Sequence, residues 1–519
     1  MRIHIIDLII LVLYVIGITL FGMWFRRGQH DLRDYFLGGR TAPWWAISFS
    51  IVATETSLLT VIGTPALAFG GNLGFLQLVI GYIVGRILIC FIFIPQYFRG
   101  EFYTAYQLIE KRFGARMKSI AAGTFLLTRT LAEGVRVAAI TKVVSVAFGI
   151  NARISVLPIA VLTLIYTFEG GMKAVIWTDV IQLAIYISGA VLAFFLLLDR
   201  IPGGWTEVTQ VAAAHGGKLD IFNFTFSLTQ TYTFWSGVIG GTFLTMASHG
   251  TDQLMVQRLL AARNERDSKI AIVSSGIIVF LQFALFLLLG VLLFTYHQYD
   301  PLIPPGGDRD RIFPEFVVRA MPVGITGLLL AAIFAAAMSN LSGALNSLAS
   351  SSIIDFWRPG NRPGDHVTRS RWVTVGWGVI LMFLGTLEWG EVLEKGLTIA
   401  SIILQSLLGL FLLGILNRRA TARGALTGMF AGLGLVLFMS FGKAILLFTA
   451  EKLFYALGIR ADWCFYLLET GPVRFLTSIA WTWYVLVGTL ATFTVGSLVS
   501  LLDKNVEPPM NADEQGRGG

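Results

Sequence analysis

Apolar stretches of roughly 20 residues recur from position 5 to position 502, separated by short polar connections. Runs of that length predict transmembrane helices. Thirteen spans can be drawn, at about 4–25, 44–70, 75–97, 119–148, 154–171, 175–199, 234–256, 270–296, 324–355, 372–388, 397–416, 424–442 and 475–502. The first superficially resembles a secretory signal. Its apolar stretch is too long, lacks a small-residue cleavage site and ends in Arg26-Arg27, so a retained first span is expected.

Composition agrees with this pattern. Of 519 residues 55% are hydrophobic and 13% charged, against roughly 45–50% and 25% in soluble domains. A secreted disulfide scaffold, a disordered chain and a soluble enzyme are thereby excluded. The net charge of +8 would suggest nucleic acid in a soluble protein, but here it sorts by loop. Alternate connections beginning at 26–42 carry 23 Lys and Arg, and the opposite set carries 12. Basic residues stay on the cytoplasmic side because translocating them is costly. The bias predicts a multi-pass protein of the cell (plasma) membrane, with its N-terminus outside and its C-terminus cytoplasmic. A lipid bilayer is then its partner, and nucleic acid is not.

Catalytic signatures do not appear. Cys90 and Cys464 form no framework, and the chain has no Walker A, HExxH, paired CxxC or GxSxG pattern. The six His are scattered, and His249 reads as a helix-end residue. No enzyme is expected, and uphill transport would need an ion gradient or a separate ATPase.

Four basic residues remain outside the loops, namely Arg86, Arg129, Arg136 and Lys142. A charge at a helix centre costs at least about 2.5–3.5 kcal/mol, so each must face protein or water. Lys142 lies near an outer end and can snorkel. Arg129, Glu133 and Arg136 fall on one helix face. Two readings fit: an internal salt-bridge ladder, or two arginines sharing one carboxylate so that a guanidinium is left for an anion. Arg136 is the deeper of the two.

The second span is unusually polar, with Thr54, Glu55, Thr56, Ser57 and Thr60 in seven residues followed by Gly63 and Pro65. Such breakers release backbone carbonyls, which are ligands for a hard cation where protein or a wet cavity covers them. In the ninth span Ala332, Ala336, Ser339, Ser342, Gly343 and Asn346 form a small-residue stripe. Close helix packing explains that stripe, and so would cation coordination by Ser339 and Asn340. Asp179, in the first turns of the sixth span, either serves the helix dipole or, buried against Ser339 and Ser342, holds a cation or proton.

Tyr35-Phe-Leu-Gly-Gly-Arg40, Ala53-Thr-Glu-Thr-Ser57 with Gly63-Thr-Pro65, and Tyr103 to Gly114 resemble motifs of the sodium:solute symporter family. Tyr166 to Asp179, Gly250-Thr-Asp-Gln-Leu-Met-Val-Gln-Arg258 and Ala336 to Ser342 continue the resemblance in family order. It implies an all-α integral membrane protein whose ten core helices form two five-helix inverted repeats, as in the sodium-coupled leucine transporter. One helix precedes the core and two follow it. The implied division is 1–43 (first helix and cytoplasmic loop), 44–200 (first repeat), 201–233 (extracytoplasmic loop), 234–416 (second repeat), 417–502 (two helices) and 503–519 (cytoplasmic tail).

The resemblance also implies a site. Na⁺, the coupling ion, would be held by the Ala53, Thr56 and Ala336 carbonyls, the Ser339 hydroxyl and Asn340, where the family usually has Ser or Thr. A second cation would use Asp179, Ser339 and Ser342, but Gly343 stands where that site has another serine, which favours one Na⁺ per solute. Ser57, Thr60 and Arg136 would bind solute, with Gln77 and Phe75 as further lining residues. Arg129, Glu133, Arg86 and Glu55 make up the buried charge network. The function this implies is secondary active uptake of a small polar, carboxylate-bearing solute by alternating access, driven by inward Na⁺ movement, with a small-molecule solute as partner and a monomeric functional unit. The alternatives are H⁺ coupling in the same fold, given Asn340 and the acids Glu55, Glu133 and Asp179, and a transporter-like solute sensor, for which the tail is short.

Overall fold

The computed structural model describes residues 3–25, 31–100, 102–149, 157–357, 363–387, 392–449 and 471–503. Arg26, Arg27, Cys464 and the tail beyond 503 lie outside the described residues. Among those residues the secondary structure is helical apart from one isolated bridge, Ala42 to Ala262.

The principal helices are α1 (Ile5–Trp24), α2 (Trp44–Glu55), α3 (Thr64–Gly70), α4 (Leu76–Ile92), α5 (Ala115–Phe148), α6 (Leu157–Arg200) and α7 (Phe234–Gly250). They continue as α8 (Gln253–Leu260), α9 (Glu265–His297), α10 (Ile325–Ser351), α11 (Pro363–Gly385), α12 (Val392–Leu416), α13 (Ala422–Thr449) and α14 (Tyr484–Leu502). Among the described residues eight helices are long and apolar enough to cross a bilayer, or nine if α2 and α3 make one span. The other four expected crossings, 119–148, 154–171, 234–256 and 372–388, overlap described helical segments that are not among these. α5 carries Arg129, Glu133 and Arg136 in its middle, and α7 stops after 17 residues.

Lipid exposure explains the outer helices. On α1 the residues Ile5, Ile9, Leu13, Ile16 and Leu20 point outward, while Leu11, Val15 and Ile18 pack inward. An apolar outer surface is what hydrocarbon requires. α10 is the opposite case, buried along nearly its whole length. Its small residues let α6 and α1 approach closely. Asp7 fixes α1 against the start of α10, its Oδ1 accepting from the Gly324 and Gly327 N–H groups at 2.7 and 2.8 Å.

Three breaks interrupt the helices. α2 ends at Glu55, and the chain resumes as a π turn (Leu59–Gly63) leading into α3 at a bend of 60°. α6 is kinked at Gly171, where φ is 56° and ψ is −157°, a conformation that an L side chain would resist. That kink lies between the expected spans 154–171 and 175–199. The third break was not expected. The run 234–256 reads as one span, but α7 ends at Gly250 and α8 restarts after Asp252, whose carboxylate caps the Leu254 N–H at 2.9 Å. An acid that caps a helix can begin one anywhere along an apolar run.

Candidate functional site

The first break releases backbone oxygens. In a continuous helix the Ser57 and Thr60 N–H groups would reach the Ala53 and Thr56 carbonyls. Instead Ser57 N–H turns to the Glu55 carbonyl and Thr60 N–H to the Ser57 carbonyl, each at 2.9 Å. The Ala53 and Thr56 carbonyls thus lose their ladder partners inside a fully buried region. The Thr54 carbonyl is taken up from α10, where Asn340 Nδ2 donates to it at 2.8 Å. With its nitrogen engaged, Asn340 has its amide oxygen left to offer.

Ser339, one residue earlier on α10, donates its hydroxyl to Asp179 Oδ1 at 2.6 Å. That fixes its proton, so the remaining lone pairs of the oxygen face away from Asp179. Ala336 lies within the unbroken run of α10 and keeps only its second lone pair for a ligand. The Thr56 hydroxyl accepts from Gln282 on α9, which anchors the break from the other side. The structure therefore gathers Ala53, Thr56, Ser339 and Asn340 at one joint between α2 and α10.

Asp179 and Ser342 are not joined. The Ser342 hydroxyl donates to the Ser339 carbonyl of its own helix at 2.9 Å. Asp179 is held instead by Ser50 (2.5 Å), Thr54 (3.4 Å) and the Arg258 guanidinium (3.0 Å). Sequence position assigns Arg258 to a cytoplasmic loop, yet its side chain is wholly buried. Gln253, Gln257 and Arg258, closely spaced polar residues just past an apolar run, were the available signal.

Beside the joint lies a cavity of about 100 Å³, well above the roughly 10–15 Å³ that a single water requires. Its walls include Glu55, Ser57 and Thr60 from the break, Arg129 and Arg136 from α5, and His249 and Asp252 from the second break. Phe75 and Leu393 line this cavity and also a second one of about 210 Å³, which Asn72, Tyr232 and Arg309 border. Phe75 packs against Phe283 and Tyr232, with ring centres 5.2 and 5.7 Å away. An aromatic cluster thus separates the two spaces. Gln77 lines neither: its amide donates to the Gly74 carbonyl and accepts from the Asn223 N–H, which ties down the segment before α7.

Both charge networks reach the cavity. Glu133 is shared by Arg129 (3.0 Å) and Arg136, as expected of one carboxylate between two arginines. Arg129 has a second partner, however, in Asp252 at the second break. Neither guanidinium is thereby left over in charge, because Asp252 supplies the missing negative group. Arg136 remains the more open of the two, its side chain 23% exposed against 7%. Arg86, completely buried, pairs with Glu55, and His249 Nε2 lies 3.3 Å from both. Across these networks three acids, Glu55, Glu133 and Asp252, match three arginines, Arg86, Arg129 and Arg136. Lys142, the fourth basic residue, pairs with Asp308 (2.9 Å) and Asp310 (2.7 Å) at the end of α5. Sequence reasoning missed His249 and Asp252 as cavity residues because both belong to the break it did not expect.

Comparison with known proteins places the chain. The model of the sodium:solute symporter family matches residues 35–432. A human sodium/iodide cotransporter is 29% identical, over 82% of this chain and 68% of its own. A sodium/sialic acid symporter of Aliivibrio fischeri is 30% identical, over 96% of this chain and 93% of its own. Among solved structures, a Na⁺-coupled sialic acid symporter in a substrate-bound, outward-open state superposes with a TM-score of 0.82. It shares 26% identity and covers 97% of this chain and 99% of its own.

Proposed function

The chain belongs to the sodium:solute symporter family, a multi-pass membrane transporter with Na⁺ as its coupling ion, and from that premise we propose how its residues divide the work. Na⁺ sits at the joint between α2 and α10, on the Ala53, Thr56 and Ala336 carbonyls, the Ser339 hydroxyl and the Asn340 amide oxygen. The solute sits in the adjoining cavity, with Ser57 and Thr60 as polar contacts and Arg136 toward a carboxylate. Phe75 closes the site from above.

The observation that carries this reading is the charge balance of the two networks that reach the cavity, three acids against three arginines. A lone anion entering such a site would be left without a counter-charge, which is costly in a low-dielectric interior. Na⁺ and a monocarboxylate entering together restore neutrality. The sialic acid and iodide carried by the relatives are both anions under ordinary conditions. Ion occupancy can also bias the conformational equilibrium, because the ion bridges the broken helix and α10.

Helix breaks at 56–58 and at 251–252 support two repeats, 44–200 and 234–416, each opening on a discontinuous helix. The loop 201–233, the helices of 417–502 and the end segments 1–43 and 503–519 lie outside them. Topology follows the basic-residue bias, with the N-terminus outside and the C-terminus cytoplasmic in the plasma membrane. Purified protein would be tested by thermal shift against monocarboxylates, sugar acids, neutral sugars and amines, each in Na⁺ and in choline. Stabilisation by a carboxylate only in Na⁺ is expected. Stabilisation by neutral sugars or amines alone would overturn the carboxylate assignment.

A further inference from the structure

Asp179 lies at the bottom of a donor set that suits a cation. Its carboxylate is fully buried and accepts from the hydroxyls of Ser50 and Thr54 on α2 and of Ser339 on α10. Oxygen ligands around a carboxylate are what a hard cation selects. The place is filled by the protein itself. Arg258 donates through Nη2 to Asp179 Oδ2 (3.0 Å), through Nε to Ser50 Oγ (2.9 Å) and through Nη1 to the Leu254 carbonyl (2.9 Å). No polar atom of this pair is left unsatisfied, unlike Arg86 and Arg129, whose Nε atoms have no partner.

The fit depends on Gly343. A Cβ at that position would stand 2.6 Å from Arg258 Nη2 and 3.3 Å from Nη1. Any side chain there, serine included, would force the guanidinium to shift from this position. The glycine in the small-residue stripe is thus the socket of an arginine.

We propose that Arg258 is a tethered cation that permanently occupies the Asp179 site, so that the protein binds a single Na⁺, at the joint between α2 and α10. Asp179 then acts as a positioning residue, holding the Ser339 hydroxyl with its proton turned away from the ion. The inference rests on the assignment of that main Na⁺ site and is tested separately from it.

Equilibrium binding of radiolabelled Na⁺ to the purified full chain, without solute, counts the sites. The wild type is expected to bind one Na⁺. Arg258→Met frees the carboxylate, and Gly343→Ser displaces the guanidinium. Each variant should bind a second Na⁺, and adding Asp179→Asn to Arg258→Met should remove it again. Two Na⁺ on the wild type, or one on a folded Arg258→Met or Gly343→Ser, would overturn the proposal while leaving Na⁺ coupling intact. No Na⁺ on the wild type would instead strike at the main site. Should the single variants not accumulate, the double variant Asp179→Asn/Arg258→Gln, which removes both charges, is expected to bind one Na⁺; two would refute the proposal.

Discussion

Replacing Ser339 with Ala separates the two duties assigned to its hydroxyl. The bond to Asp179 Oδ1 at 2.6 Å exists without any ion. Its loss lowers stability in both Na⁺ and choline, by about 1.5–3 kcal/mol for a hydrogen bond to a charged group. Loss of the oxygen as a ligand acts only when Na⁺ is bound. If that contact is also worth about 1.5 kcal/mol, Na⁺ affinity falls about tenfold. At Na⁺ one hundred times the wild-type dissociation constant, binding stabilises the wild type by about 2.7 kcal/mol and the variant by about 1.4 kcal/mol. Thermal denaturation of the detergent-solubilised protein, titrated with NaCl at constant ionic strength against choline chloride, resolves both effects. Ser342→Ala is the control, since that hydroxyl touches only the Ser339 carbonyl of its own helix. A Na⁺-dependent increment unchanged in Ser339→Ala would remove Ser339 from the site, whatever the loss in choline.

Four further outcomes are expected. Arg136→Ala should abolish the Na⁺-dependent shift given by whichever carboxylate stabilises the wild type, and leave the count of bound Na⁺ unchanged; Arg136→Lys should restore little, because an ammonium lacks the bidentate fork. Arg86→Met strands Glu55 in the interior and should cost about 3–5 kcal/mol, read as a fall in melting temperature, with Glu55→Gln/Arg86→Met milder than the single change. Asp7→Ala removes the acceptor of two α10 N–H groups and should cost about 1.5–3 kcal/mol in the same assay. Lys142→Ala, breaking a partly exposed pair, should cost no more than about 1 kcal/mol.

Periodicity and hydropathy alone carried the architecture far, since they register a requirement the bilayer imposes on every spanning residue. The first break was legible for a related reason: Thr54 to Thr60 beside Gly63 and Pro65 is too polar to be a plain helix in hydrocarbon. The second was hidden. Nothing between 234 and 256 is a proline, and the interruption rests on one cap by Asp252, a contact that hydropathy does not see. The same blindness misplaced the charge accounting on α5. Sequence spacing reaches only i+3 and i+4 partners, so it found Glu133 between Arg129 and Arg136. It could not find Asp252, which lies 123 residues along the chain from Arg129.

That long-range pairing bears on how the site is kept in register. Three buried ion pairs join elements from different parts of the chain: Glu55 of α2 with Arg86 of α4, Arg129 of α5 with Asp252 before α8, and Asp179 of α6 with Arg258 of α8. Buried ion pairs add little net stability, because desolvation offsets much of the attraction, whereas breaking one strands a charge at a cost of several kcal/mol. Their effect is therefore on which arrangements are accessible. α8 carries Arg258, and Asp252 caps its start, so displacing it would disturb α5 and α6 together. Double neutralisation of Arg129 and Asp252, as Arg129→Met/Asp252→Asn, should then keep more of the wild-type stability than either single change while loosening the second break. Hydrogen exchange at 250–260 reads that loosening. Protection there equal to the wild type in the double variant would mean that the pair does not hold the break.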